Sequence, residues 1–247
     1  MATARISRAD ENGSTPADPP VVVASGEVSH NLNGQRLGRK GRDTRERILT
    51  ACSELLAEDG EPISMSAVAR RASLGMTSLY NYFSDLTELL LAVLEPVMAT
   101  SDERFLCMLR EYWPDEVLGE RCHAFMEAYY GFWALHSRLL HLRNAMADNR
   151  DPRMLIHRVE STQPLITLFA AQMGGDSENM QSLVRAMATV LMIGVERTAT
   201  VSTDPSLTDL FGEDQRRPQQ YYLVAEARLM ELAIRDTRAR LARGELG

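Results

Sequence analysis

Small and apolar positions between Ser64 and Phe83 recur with helical period in two short runs, separated by a turn signal. In the first run Met65, Val68 with Ala69, and Ala72 fall at i, i+3/i+4 and i+7, and Ser64 stands where an N-cap belongs. Gly75 interrupts the period. In the second run Leu79 and Phe83 lie four residues apart on one side, so Met76, Thr77, Ser78, Tyr80, Asn81 and Tyr82 are expected to face outward or flank it. Two short helices joined by a tight turn can place one helix in a nucleic-acid groove. The outward set is mostly hydroxyls and an amide, which bond phosphate oxygens and base edges without a fixed charge.

The same helical spacing continues on both sides. Asp43 and Glu46 read as a capping-box start for a first helix, with Ile48, Cys52, Leu55 and Leu56 as its buried stripe and Asp59-Gly60 with Pro62 as its end. Cys52 falls within that stripe and reads as a small core residue. Asp85-Leu86-Thr87-Glu88 repeats the capping device and predicts a longer helix over 85–111, in which Pro96 is a place for a kink. Beyond residue 87 no strand-like alternation occurs. Breaks near Pro114, Asp151-Pro152, Gly174-Gly175, Asp204-Pro205 and Pro218 predict helices near 115–149, split around His136-Ser137, and near 152–173, 176–201 and 219–243. The expected fold class is all-α. Residues 1–38, with Gly and Pro and few large apolar side chains, are expected to be a disordered extension. Residues 39–86 then form a three-helix module around the 64–83 motif, and 87–247 a larger helical body.

Charge adds to this picture. The net charge is -7, yet Arg36, Arg39, Lys40, Arg42, Arg45 and Arg47 face only Asp43 and Glu46 across residues 36–47, a local excess of four positive charges. A molecule with one basic end and an acidic body is expected, and a local patch is all that nucleic-acid binding requires. Its basic arm, Arg36 to Arg42, either reaches into a minor groove or is a solvated extension. Three scattered cysteines make neither a disulfide framework nor a C-x-x-C metal site. With no apolar run near the roughly 18 residues a membrane helix needs, and no signal-peptide core, the expectation is a cytoplasmic protein without a membrane partner.

The run Ala72-Ser73-Leu74-Gly75-Met76-Thr77-Ser78-Leu79-Tyr80-Asn81-Tyr82-Phe83, followed by Asp85 and Glu88-Leu89-Leu90, closely resembles the DNA-binding segment of TetR-type transcriptional regulators. The resemblance covers about residues 42–95 and is strongest at Ala72, Leu79, Tyr80, Tyr82 and Phe83. It implies phosphate contacts from Ser64, Thr77, Tyr80 and Tyr82 and base contacts from Met76, Ser78 and Asn81, beside the cationic Arg42 and Arg45. The implied partners are a double-stranded DNA operator, a second copy of the chain, and a small-molecule effector. In such proteins the last two helices pair across a twofold axis, and Leu183, Met187, Val190, Leu191, Ile193, Gly194 and Val195, with Tyr222, Leu223, Ala225, Leu229, Leu232 and Ala233, supply apolar surface for that or for burial within one subunit. The sequence departs from the family at Ser73, where a turn Gly is usual, at Thr77, often Gly, and at Leu86, usually a phosphate-contacting Lys.

Aromatic and sulfur residues crowd the segment 98–157. Phe105, Met108, Trp113, Phe125, Met126, Tyr129, Trp133 and Met154, with His136 as a polar anchor, are candidates to line a pocket for an apolar or planar effector, or to form plain core. Glu120-x-x-His123 matches one half of a di-iron helical site, but no second copy exists. Gly-rich phosphate loops, HExxH and GxSxG are absent too, so no catalytic residue, metal or cofactor is expected. Two readings follow: a repressor released from a palindromic operator by its effector, and a DNA-bound adaptor that recruits a protein partner without one.

Overall fold

Ser64 sits in extended backbone, and its Oγ accepts the Ala67 N–H at 3.2 Å, which starts the helix Met65–Arg71. Asp85 does the same for the Glu88 N–H at 2.9 Å and starts Leu86–Ala99, while Glu88 Oε2 reaches back to the Ser84 N–H at 2.6 Å. These caps fix most of the N-terminal module in the computed structural model, which describes residues 30–32, 34–58, 62–175, 179, 181–204 and 219–246. Its helices are α1 Arg39–Ala57, α2 Met65–Arg71, α3 Met76–Tyr80, α4 Leu86–Ala99, α5 Ser101–Arg104, α6 Leu118–Asp148, α7 Pro152–Gln172, α8 Leu183–Ser202 and α9 Gln219–Ala242, with a 3-10 turn at Leu106–Leu109. The described residues are all-α, and none of their helices is long and apolar enough to cross a membrane.

Helix α1 begins earlier than its sequence signal. Gly38, not Asp43, is its N-cap. Leu37 is buried against Gly41, where a Cβ would stand 2.8 Å from the leucine Cδ2. The Arg42 Nη1 donates to the Leu37 carbonyl at 3.1 Å. These contacts wind one more turn onto the helix, and Asp43 becomes an exposed interior residue. Residues 30–38 were expected to belong to the disordered extension, but their described part carries a small turn bridging His30 and Arg36. Residues 1–29 of that expectation lie outside the described residues.

The turn between α2 and α3 closes by two hydrogen bonds, Leu74 N–H to the Ala69 carbonyl at 2.9 Å and Ser73 N–H to the Arg70 carbonyl at 3.1 Å. That pair is a Schellman closure, which requires a left-handed residue just past the helix. Ser73 supplies it, with φ of 54°, while Gly75 is the N-cap of α3 at an ordinary φ of -73°. A serine is strained there, so Ser73→Gly is expected to raise stability by about 0.5–1 kcal/mol in urea unfolding.

Helix α4 stops at Ala99, short of 111, although Pro96 lies within it. The Thr100 and Ser101 hydroxyls bond the Val97 and Met98 carbonyls at 2.7 and 2.6 Å, in competition with the helical ladder. The irregular stretch that follows is satisfied from within. Gln172 Nε2 donates to the Leu109 carbonyl at 2.9 Å, its Oε1 accepts the Trp113 N–H at 3.1 Å, and Arg238 Nη1 donates to the Trp113 carbonyl at 2.9 Å. Helix α6 runs through the body against α4, α7, α8 and α9, and leaves helical geometry at His136, where its two halves were expected to part. Helix α8 begins at Leu183 rather than near 176, behind the N-cap Ser182. Buried residues of module and body form one continuous core from Ile48 to Ile234.

Helices α8 and α9 each carry two apolar faces. Val184, Ala188, Met192, Val195 and Ala199 of α8 face inward, as do Leu223, Ala227, Met230 and Ile234 of α9. Leu183, Val190 and Ile193 on α8, and Tyr221, Val224, Leu229 and Leu232 on α9, lie exposed.

Candidate functional site

Leu79 and Phe83, both fully buried, pin α3 to the module, so its other side must face out. Met76, Thr77, Ser78 and Tyr80 are exposed, and Asn81 and Tyr82 half-exposed at its C-terminal end. Ser64 is half-buried, with its hydroxyl engaged as a cap. The two arginines differ. Arg42 is exposed, whereas Arg45 lies over the Phe83 ring, 5.2 Å from its centroid, and burial lowers its pKa against the pull of Glu46, Glu88 and Glu95. Arg45 thus braces the phenylalanine that positions α3. The His30–Arg36 turn is stitched to the same end of α3, its Leu32 N–H donating to the Asn81 carbonyl at 3.1 Å. This link between the arm and the end of α3 is one that sequence reading gave no means to see. Leu86 is half-buried against the core and offers no charge.

The module is clasped to the body at the paired starts of α4 and α7. Arg153 Nη2 donates to Asp85 Oδ2 at 2.9 Å, and Thr87 Oγ1 to Asp151 Oδ2 at 2.7 Å. Each N-cap aspartate therefore binds a residue two places into the other helix. Farther along, Arg138 of α6 donates to the Leu55 carbonyl at 2.7 Å and to that of Glu58, capping the end of α1. For Asp85 partial burial works against ionisation, but the hydrogen bonds from Arg153, Glu88 and Ser84 and the arginine charge outweigh it, and its pKa is lowered. Asp151 is lowered likewise, burial being outweighed by Thr87, Met154 and Arg153. A carboxyl depressed in the folded state stabilises above its unfolded pKa of about 3.9, and that contribution is lost as pH falls through the folded value. Arg153→Met is accordingly expected to move the acid unfolding transition to higher pH, as followed by circular dichroism between pH 5 and 2.

Between α4, α6, α7 and α8 a small cavity of about 30 Å³, partly open to solvent, is lined by Met98, Phe105, Tyr129, Phe132, Trp133 and Leu165 and, at its polar end, by Arg143, Ser161, Thr162 and Glu196. Of the candidate pocket residues Phe105, Tyr129 and Trp133 stand on this wall. Trp113, Phe125, Met126 and Met154 are instead seated in the core, where Phe105 and Phe125 meet edge to face at 6.1 Å. Met108 packs against that core from a partly exposed position, and its carbonyl holds the Trp113 indole N–H at 2.8 Å. His136 tilts on the Phe132 ring at 5.0 Å, its pKa lowered by burial and by Arg104. Cys52 is buried, which pushes its thiol up to about 12, as befits a core residue.

No family model and no curated protein matches the chain. Among solved structures, the fatty acid degradation regulator FadR from Bacillus halodurans is similar, at 13% identity and a TM-score of 0.50, over 81% of this chain and 96% of that one. The likeness is one of helical fold over that share of the chain.

Proposed function

We propose that the protein is a TetR-type, homodimeric DNA-binding transcriptional regulator, a repressor released from a palindromic operator by a small, largely apolar or aromatic effector. The carrying observation is the outward face of α3, on which Met76, Thr77, Ser78 and Tyr80 stand exposed while Leu79 and Phe83 are locked beneath. Residues 39–86 act as the reading module and 87–247 as the sensing and pairing body. Ser64, Thr77, Tyr80 and Tyr82 with Arg42 hold phosphates, and Met76, Ser78 and Asn81 meet base edges. The exposed apolar stripes on α8 and α9 meet their copies as a four-helix bundle, which sets the two recognition helices about 34 Å apart for successive major grooves. The similar solved chain bears the name of a regulator, which fits this reading without carrying it.

Effector release follows from the clasp. Helix α4 lines the cavity with Met98 near its end and begins three residues after α3 is closed by Tyr82 and Phe83. A shift at its cavity end therefore turns the module beneath it. A cavity with mixed apolar and polar walls favours this reading over an adaptor that has no effector. A gel shift of the gene's own upstream DNA, repeated over a salt series, tests the core of the proposal, and absence of any salt-sensitive shift contradicts it. Within it, Asn81→Ala is expected to relax discrimination at one base pair, by about 1–3 kcal/mol, whereas Tyr82→Phe weakens binding to all sequences alike. Competition binding against single-base operator variants separates the two outcomes.

A further inference from the structure

The polar end of the cavity is built around an ion pair. Arg143, its side chain 3% exposed, donates from Nη2 to Glu196 Oε1 at 2.6 Å, from Nε to Asn144 Oδ1 at 3.1 Å and from Nη1 to Ser161 Oγ at 3.4 Å. The arginine is thus fixed from α6 and α7. Glu196 is 15% exposed, stands on α8, and receives Arg143 and the Asn144 amide, at 3.4 Å, on the single oxygen Oε1. Phe105, Phe132, Trp133 and Leu165 wall the space beside the pair.

We propose that this cavity, widened when Glu196 swings outward, takes a carboxylic acid with an aromatic or other apolar body, whose carboxylate replaces Glu196 on Arg143. The inference rests on the reading of this cavity as the effector site. What decides the ligand's charge is which ion is left behind. An amine drawn to Glu196 would strand a guanidinium at 3% exposure, an unpaired charge in a poorly solvated interior. An acid drawn to Arg143 instead releases Glu196, the member nearer solvent, which can rotate outward and hydrate. The planar guanidinium matches a carboxylate's two oxygens, and the apolar walls take the rest of the molecule. A neutral ligand leaves the pair closed and gains only the apolar walls.

The exchange also supplies a signal. Glu196 is the tie between α8 and Arg143 of α6, and the adjoining exposed side of α8 carries Ile193, one turn before Glu196, and Val190, the stripe assigned to dimer pairing. Freeing Glu196 loosens α8 from α6 just where the two subunits would meet.

The test uses the full-length protein with 2-naphthoate and 4-phenylbutyrate, their primary amides and the corresponding amines, followed by calorimetric titration and by the tryptophan fluorescence that Trp113 and Trp133 share. Both acids are expected to bind about tenfold or more tighter than amide or amine. Glu196→Gln should tighten the acids further, because no anion competes for Arg143, and Arg143→Gln should erase the preference. If Arg143→Gln does not fold, the Glu196→Gln titration decides alone. Equal binding of amides or amines, weaker acid binding by Glu196→Gln, or no binding of either acid overturns the exchange. Amides that bind and release DNA would leave the effector reading standing while removing this one.

Discussion

Phe83→Ala is expected to destabilise the protein by about 3–5 kcal/mol and to remove DNA binding even at temperatures where the variant stays folded. The ring is 1% exposed, lies beneath Arg45 at 5.2 Å, and its backbone N–H bonds the Leu79 carbonyl at 3.1 Å. Removing it opens a cavity where α3 turns toward α4 and frees the arginine laid over it. Urea unfolding measures the first effect and DNA titration at low temperature the second. A folded variant that binds DNA with unchanged affinity would show that the seating of α3 is not what presents its outward face.

The second large effect is electrostatic. Replacing Arg36, Arg39, Lys40, Arg42 and Arg47 together by glutamine should leave the fold intact apart from the first turn of α1, which Arg42 helps to wind, because all five are exposed. Each lost phosphate contact lowers the slope of log affinity against log salt by about 0.9, and three lost per subunit reduce affinity by about a hundredfold or more at moderate salt. Arg45 is left in place because it braces Phe83. Leu86 gives no cation at the start of α4, so this cluster is expected to carry more of the phosphate affinity than a module with a lysine there would need. An unchanged salt slope would place the DNA on a different surface.

Much of the fold could be read from local chemistry. Ser64 and Asp85 each announce a helix, and each caps one, while Asp151, read only as part of a break, proves to be a cap as well. Asp43 announces a helix equally well and does not start it, because Leu37, Gly41 and Arg42 extend α1 by contacts that a capping pattern does not encode. The serine at 73 hid a left-handed turn that glycine would have advertised. Helical spacing could not separate cavity wall from core among the aromatics, since Phe105 and Trp133 share their period with the core-filling Phe125 and Met126. The polar end of the cavity went unseen because Arg143 and Glu196 lie on different helices. A signal was present all the same, in a charged residue just past Leu139-Leu140 and another directly after the apolar run ending at Val195. The clasp shows the same limit: Asp85 was legible as a cap and Asp151 as a break, but not that each binds a residue of the other's helix.

The central claim, that a pair of α3 helices reads an operator, is tested most directly by footprinting the full-length protein on its own upstream DNA over a salt series. The account predicts two protected patches, symmetric about a twofold point and one helical turn apart, that fade together as salt rises. Protection of no particular sequence, at any salt concentration where the protein is folded, would contradict it.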